Sequence, residues 1–280
     1  MDKKRRPQIV VISDLHLSTY GCQSKAILNY LNSVEPEILI LNGDIFDIWQ
    51  FSKSYFPASH FKVVKKILSF IEKGTETYYV TGNHDEMIRR FEDFRLGSFH
   101  VVNKVLLEID GKKAWIFHGD VFDISMRHSK WLAKMGANGY AFLILLNKIV
   151  NFFLSIIGKQ RISLSKKIKH SVKNAIKSKN DFELTAAEIA VNKGYDYVIC
   201  GHIHQPVIKK FSLQDGEVTY LNSGDWIDHK TALEYENGEW KIYKYDEDPM
   251  MANIKEQKES KEKEESYNTI LNKMRNDFEL

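Results

Sequence analysis

The chain has 280 residues, 43% apolar and 28% charged, enough for one sizeable core or a core with a large insertion. Its formal charge of +3 is too small to imply a nucleic-acid partner from bulk composition, so any basic partner surface has to be local. Two cysteines, Cys22 and Cys200, exclude a disulfide framework and suit a reducing compartment. No stretch offers about 20 uninterrupted apolar residues, so no transmembrane helix is expected. The basic N-terminus leads straight into a strand, without the apolar core of a signal peptide.

The first predicted strand, Ile9-Val10-Val11-Ile12, is a β-branched run that reads as buried. It leads to Asp14 and His16, two positions apart and so on one face, an oxygen and a nitrogen ligand suited to Mn, Fe or Zn. A helix over 24–33 carries Ala26, Ile27, Tyr30 and Leu31 at helical spacing, with Pro36 beyond its end. The second strand, 38–41, ends in Asn42-Gly43-Asp44-Ile45-Phe46-Asp47. Strand, helix and strand make a βαβ unit with a parallel sheet, whose functional loops gather at the strand carboxyl ends. A helix over 58–73 is expected to bury Phe61, Val64, Ile67, Leu68 and Ile71, and a third strand, 77–80, ends in Thr81-Gly82-Asn83-His84-Asp85. Gly43 and Gly82 stand just before Asp44 and Asn83, where an absent side chain lets the backbone turn toward a shared ion. Residues 99–109 alternate and read as one strand, turning at Asp110-Gly111-Lys112 into a strand over 113–117 that ends in His118-Gly119-Asp120.

From residue 121 to about 190 the pattern is helical. Residues 140–157 are apolar apart from Asn147, Lys148, Asn151 and Ser155. Eight lysines and arginines follow from Lys159 to Lys179, with no acid before Asp181. An apolar helix followed by a basic one fits an interfacial device facing anionic lipid or phosphate; the competing reading is a helical cap buried on the domain with solvated lysines. The sheet resumes at 197–200, where Cys200 reads as a buried, inert thiol, and ends in Gly201-His202-Ile203-His204. A strand over 218–221 leads into Asn222-Ser223-Gly224-Asp225-Trp226, and 232–235 with 240–245 form a hairpin around Asn237-Gly238. Beyond Asp246 the chain is charged and reads as a solvated helix or a disordered tail.

Collected, the strand ends give D-x-H at Asp14 and His16, G-D-x-x-D at Asp44 and Asp47, G-N-H-D at Asn83 and His84, a lone His118, and G-H-x-H at His202 and His204. Five blocks in this order resemble the calcineurin-like metallophosphoesterases. The resemblance implies an α/β fold, a four-layer α/β/β/α sandwich with a helical insertion acting as a lid. It assigns one divalent ion to Asp14, His16, Asp44 and His204 and another to Asp44, Asn83, His118 and His202, with Asp44 bridging. Two such ions polarise water and clamp the oxygens of an in-line phosphoryl displacement. In the family a histidine matching His84 stabilises or protonates the leaving oxygen, and Asp47 would hold its tautomer. Asp85 and Asp120 read as structural or as supports that orient the ligands from behind.

The arrangement is further similar to the UDP-2,3-diacylglucosamine pyrophosphatases of lipid A biosynthesis, which release UMP and a lipid monosaccharide phosphate. The implied organisation is a metallophosphoesterase domain over 8–245, a helical lid over 121–195 within it, and a charged tail over 246–280. The implied enzyme is a hydrolase with two divalent ions, Mn2+ foremost, acting on a nucleotide-linked glycolipid. It would work in the cytoplasm, peripherally on the inner face of the cytoplasmic membrane, with no nucleic-acid partner. Asn83, His84 and His202, with Arg161, Lys166 and Lys167, are expected to bind substrate, acyl burial contributing about 0.8 kcal/mol per methylene and cations holding phosphates. The best-known branch carries arginine where this chain has His84, which leaves room for another diphosphate substrate. Two other readings compete. A nuclease or phosphodiesterase of the same superfamily would bind with steep salt dependence. A non-catalytic module of the same fold should have lost ligands, and this chain retains each one.

Overall fold

The computed structural model describes residues 4–48, 56–122 and 182–254. The chain opens with β1 (Ile9–Ile12), α1 (Ser24–Ser33), β2 (Ile38–Asn42), α2 (Ala58–Glu72) and β3 (Glu76–Val80). β1, β2 and β3 run parallel, with Ile9 opposite Ile38 and Ile38 opposite Glu76, so all three end at one edge. β1 is buried along its whole length because period two divides it between two cores. Val10 and Ile12 pack with Ile27, Leu31, Val63 and Phe70 of the helices, while Ile9 and Val11 face a second sheet across Ile116, Ile199 and Leu221. Burial on both faces explains why the strand is apolar throughout rather than alternating.

The remaining strands are β4 (Arg95–Leu96), β5 (Phe99–Val102), β6 (Lys104–Ile109), β7 (Lys112–Phe117), β8 (Tyr197–Cys200), β9 (Val207–Leu213), β10 (Gly216–Asn222), β11 (Thr231–Glu236) and β12 (Glu239–Lys244). They build a seven-stranded sheet in the order β12-β11-β1-β2-β3-β5-β4 and a five-stranded sheet in the order β6-β7-β8-β10-β9. A third core lies on the outer side of the smaller sheet, where Val198, Cys200 and Tyr220 meet Phe182, Ala186 and Ala190 of a helix over 182–192. Helices, sheet, sheet and helix make the four-layer α/β/β/α sandwich. In β8 the parallel pairing to β7 and β10 brings the ends of these strands to the same edge as β1–β3.

Several expectations are corrected. α2 buries His60, Val63, Ile67 and Phe70, while Phe61 and Leu68 are 61% and 58% exposed. The helix is turned because the His60 ring goes inward, its Nδ1 accepting the Ser18 N–H at 3.0 Å, a partner that an apolar pattern does not reveal. Residues 99–109 are two strands in different sheets: β5 pairs with β3, β6 pairs with β7, and the chain crosses at Asn103, whose Oδ1 accepts the Thr81 hydroxyl at 2.7 Å. β9, unforeseen in the sequence, pairs antiparallel with β10 across Gln214-Asp215. The Asp110-Gly111 and Asn237-Gly238 turns have positive φ at both residues, as two-residue hairpin turns require.

The charged stretch from residue 246 begins packed on the body. Asp248 accepts from Arg5 at 2.9 Å and from the Met250 amide at 2.9 Å, starting a helix over 249–254 in which Met251 is buried. Arg5 also reaches Glu234 at 3.2 Å, so packed structure extends beyond 8–245 at both ends. Of the insertion expected over 121–195, only residues 121–122 and 182–195 are described. The apolar stretch 140–157, with Arg161, Lys166 and Lys167, lies outside the described residues, as does the tail from 255. Among the described residues no helix is long and apolar enough to cross a membrane.

Candidate metal centre

Asp14, His16, Asp44, His202 and His204 all have φ between 47° and 66°, the left-handed region that side chains other than glycine seldom occupy. Each such residue stores on the order of 1 kcal/mol or more, and the concentration at one sheet edge marks a site whose geometry outweighs local preference. The strain turns each chain segment abruptly after its strand, so that five side chains converge. Glycines make room for them. A Cβ on Gly43, itself at φ +80°, would overlap the His118 ring; one on Gly82 would overlap Asp44; one on Gly201 would lie 2.8 Å from Asp14 Oδ2. Backbone bonds lock the convergence: Asp14 N–H donates to Gly43 O at 3.1 Å, His16 N–H to Asp44 O at 3.0 Å, and Gly201 N–H to His118 O at 2.9 Å.

Three overlapping sets of side chains result among the described residues, each with its ligand atoms within 4.8 Å of one another: Asp14, His16 and His204; His16, Asp44 and His84; Asp44, His118 and His202. His204 Nε2 lies 3.0 Å from Asp14 Oδ1, and His118 Nε2 lies 3.3 Å from Asp44 Oδ2. The rings of His118 and His202 are 5.1 Å apart. Asn83 sits between Gly82 and His84, and the His84 amide donates to Asp44 Oδ1 at 2.8 Å, which keeps the Asn83 loop on the shared carboxylate. His84 Nδ1 is 3.1 Å from Asp47 Oδ2, and its Nε2 points back to within 4.0 Å of Asp44. Asp47 is buried and also lies 3.6 Å from His16 Nδ1. The sequence-predicted strand-end residues are therefore brought together, while Arg161, Lys166 and Lys167 lie outside the described residues.

The chemistry of the donor set tests whether metal ions fit. His118 Nδ1 donates to the Asn42 carbonyl at 2.8 Å, which leaves Nε2 as the nitrogen facing Asp44. Asp14 Oδ1, His16 Nε2 and His118 Nε2 are all buried and none makes a well-aligned hydrogen bond, although His204 Nε2 lies 3.0 Å from the first and Asp44 Oδ2 3.3 Å from the last. Lone pairs converging in a buried place require positive charge between them. Without an ion, protons serve. Burial opposes an imidazolium at His118, yet the Asp44 and Asp14 carboxylates push its pKa up to about 10. Burial likewise opposes it at His204, and Asp14 and Asp225 push that ring up to about 9. Burial works against ionised Asp14, but His204 and His118 bring it down to about 2, and Asp44 is lowered with it. Carboxylates and imidazoles without thiolates suit divalent Mn, Fe or Zn in an open site, so the residues present fit the ions.

Two supports stand behind the ligands. Asp85, expected to be structural or such a support, holds the Asp44 and Asn83 loops: it accepts from Ile45 N–H at 3.0 Å, Gly82 N–H at 2.6 Å and the Tyr79 hydroxyl at 2.6 Å. Asp225 is fully buried beside His204, and its carboxylate was missed; the signal was its place two residues beyond Ser223, at the end of another parallel strand. Asp120 pairs with Arg89 and adds to the negative charge that raises His118.

A protein-family profile described as calcineurin-like phosphoesterase matches residues 7–206. The UDP-2,3-diacylglucosamine hydrolase of Aliivibrio fischeri is 26% identical over 245 residues, covering 84% of this chain and 98% of that protein. The protein of the same name from Aeromonas salmonicida is 23% identical over 239 residues, covering 82% and 91%. Among solved structures, an archaeal phosphodiesterase aligns at 17% identity with a TM-score of 0.39, covering 84% of this chain and 98% of that one. With the family profile running over most of the chain and through every strand-end block, this chain belongs to the calcineurin-like phosphoesterase family.

Proposed function

We propose that this chain is a two-metal hydrolase that cleaves the pyrophosphate of UDP-2,3-diacylglucosamine to UMP and 2,3-diacylglucosamine 1-phosphate. The observation that carries the chemistry is the convergence of buried carboxylate and imidazole lone pairs in three overlapping sets, two of which share Asp44. The substrate follows from relatives of that name that align along almost their whole length. Asp14, His16, Asp44 and His204 would hold one ion and Asp44, Asn83, His118 and His202 the other. Bound there, two divalent ions supply an activated water and neutralise charge on the transferring phosphoryl group. Mn2+ is the ion we expect, since hard oxygen and imidazole donors accept it.

The chain's own part is positioning and proton transfer. A water oxygen bonds to one phosphorus of the diphosphate while the bridging P–O bond breaks in line. His84 stands at the open side of the centre with Nδ1–H on Asp47; that carboxylate would stabilise the ring as an imidazolium, whose Nε2–H gives its proton to the departing oxygen while the attacking water releases its own proton to solvent. Asn83 and His202 would contact the phosphate oxygens. Arg161, Lys166 and Lys167 would hold the charged part of the substrate, and the apolar stretch 140–157 would receive acyl chains and rest on the inner face of the cytoplasmic membrane.

The test is release of UMP from UDP-2,3-diacylglucosamine by metal-stripped protein with and without Mn2+, beside bis(4-nitrophenyl) phosphate. Mn-dependent release that greatly outpaces the generic ester is the expected result. Hydrolysis of the generic ester alone would overturn the substrate and leave the two-metal chemistry standing.

A further inference from the structure

We propose that Asp225 is a positioning residue for His204: its carboxylate, fixed by its own loop and by His229, aligns the far nitrogen of the His204 ring so that the near one meets the ion beside Asp14. The inference rests on the ligand role proposed for His204.

The sequence builds the carboxylate into place. β10 ends at Asn222, and Gly224, at φ +73° with Thr231 where a side chain would stand, turns the chain back on itself. Asp225 Oδ1 then accepts three backbone N–H groups, from Ile227 at 2.8 Å, Asp228 at 2.6 Å and His229 at 3.2 Å. Oδ2 accepts from His229 Nδ1 at 2.6 Å. Four donors leave the carboxylate no freedom to move, and the open side of Oδ2 faces His204 Nδ1 at 3.9 Å. That gap is about 1 Å longer than a hydrogen bond. The ring across it is 35% exposed, so packing alone does not hold it, whereas Asp225 is fully enclosed.

A buried carboxylate needs a reason to be there. The ion-pair partners of Asp225 among the described residues are the two histidines, not a lysine or arginine. The same loop also grips the other partner of the 3.0 Å Asp14–His204 pair. Trp226 N–H donates to Asp14 O at 3.2 Å, and the Ser13 hydroxyl donates to Gly224 O at 3.0 Å. One short loop thus sets the backbone of Asp14 and the ring of His204 together. An imidazole that ligates through one nitrogen needs its other nitrogen committed, which fixes tautomer and direction; loss of such a partner typically costs 10–100-fold in metal affinity.

The experiment is a Mn2+ titration of the metal-stripped full chain, read by the EPR signal of free Mn2+, with the Tm of the metal-free protein measured alongside. Asp225→Asn keeps an acceptor oxygen for the loop amides and removes the carboxylate. It is expected to weaken one of two Mn2+ equivalents about 10–100-fold and to leave the other unchanged, with a modest fall in the metal-free Tm from the lost carboxylate–imidazole pairing. His229→Gln should weaken the same equivalent by less. Unchanged binding of both equivalents in Asp225→Asn would overturn the proposal. So would equal weakening of both with a lower metal-free Tm, if His229→Gln then binds as the wild type does; selective loss in His229→Gln would instead support it. A wild type that binds fewer than two equivalents refutes the two-metal reading itself, and this proposal with it.

Discussion

The two imidazoles that close the centre from opposite sides, His118 and His204, are secured by different means. His118 is fully enclosed, and its Nδ1 donates to the backbone carbonyl of Asn42, at the end of a central strand. His204 is partly open to solvent, and its Nδ1 faces a side-chain carboxylate from a loop more than two hundred residues beyond the first ligand. A backbone acceptor follows from the sheet itself and cannot be exchanged by substitution. A carboxylate on a loop can be lost or tuned without disturbing the sheet. One half of the centre is therefore part of the fold's frame, and the other is clipped on by the C-terminal part of the chain.

His84 offers the sharpest way to test where those halves end, because its Nε2 lies near Asp44 and His16 in a set that could itself hold an ion. If His84 is the proton donor, His84→Ala should lower kcat by about 10²–10⁴-fold while both Mn2+ equivalents bind as before. Loss of one equivalent would make His84 a ligand and move the boundary between the halves.

The ligands of both halves were legible in the sequence, and the support of the clipped half was not. Asp14, His16, Asp44, Asn83, His118, His202 and His204 each follow a short apolar strand, and parallel connections deliver such ends to one edge, so periodicity alone predicts convergence. Asp225 stands after a strand too, but a lone acid in a Gly-containing loop carries no spacing that separates a buried support from a turn residue. Similar limits hid other features. α2 has two overlapping apolar stripes, and a hydrogen bond from Ser18 to His60 decides which one turns inward. Residues 99–109 alternate continuously although the chain changes sheet at Asn103, because both strands bury alternate side chains in the same inter-sheet core, which includes Val102, Val105 and Ile109.

Two glycine substitutions should break one half each. Gly43→Ala places a methyl group into the His118 ring at a backbone angle that disfavours any side chain, and is expected to destabilise the protein by about 2–3 kcal/mol and to weaken the equivalent bound by His118. Gly201→Ala meets Ser13 Oγ at 2.7 Å and Asp14 Oδ2 at 2.8 Å. Its backbone lies outside the left-handed region, so the stability cost should be smaller, about 1 kcal/mol, and the loss of affinity should fall on the Asp14–His204 side. Denaturant titration and Mn2+ binding read both effects. If each variant weakened both equivalents alike, the halves would be one rigid unit and the distinction between them would fail.

The smallest effect follows from removing the ions. In the metal-free protein the charge between the lone pairs is carried by protons on His118, raised to about 10, and His204, raised to about 9. A raised imidazole contributes stability that is complete below its unfolded pKa of about 6.5 and is lost as pH rises through the folded value. Asp14, lowered to about 2, contributes above an unfolded pKa of about 3.9 and loses that only as pH falls through the folded value. The metal-free Tm should therefore hold steady from about pH 4 to 6.5 and decline by several degrees toward pH 10. Both shares begin to fall above about pH 6.5; that of His204, reduced by solvent screening of its partly open ring, is lost by about 9 and that of His118 by about 10. Mn2+-loaded protein should show no such decline, because the ion supplies positive charge that does not titrate, and its binding near pH 7 should release protons to the buffer. A metal-free Tm that stayed level from pH 6.5 to 10 would mean that neither half is held closed by an imidazolium, and that the backbone bonds from Gly43, Asp44 and His118 suffice to keep the empty centre assembled.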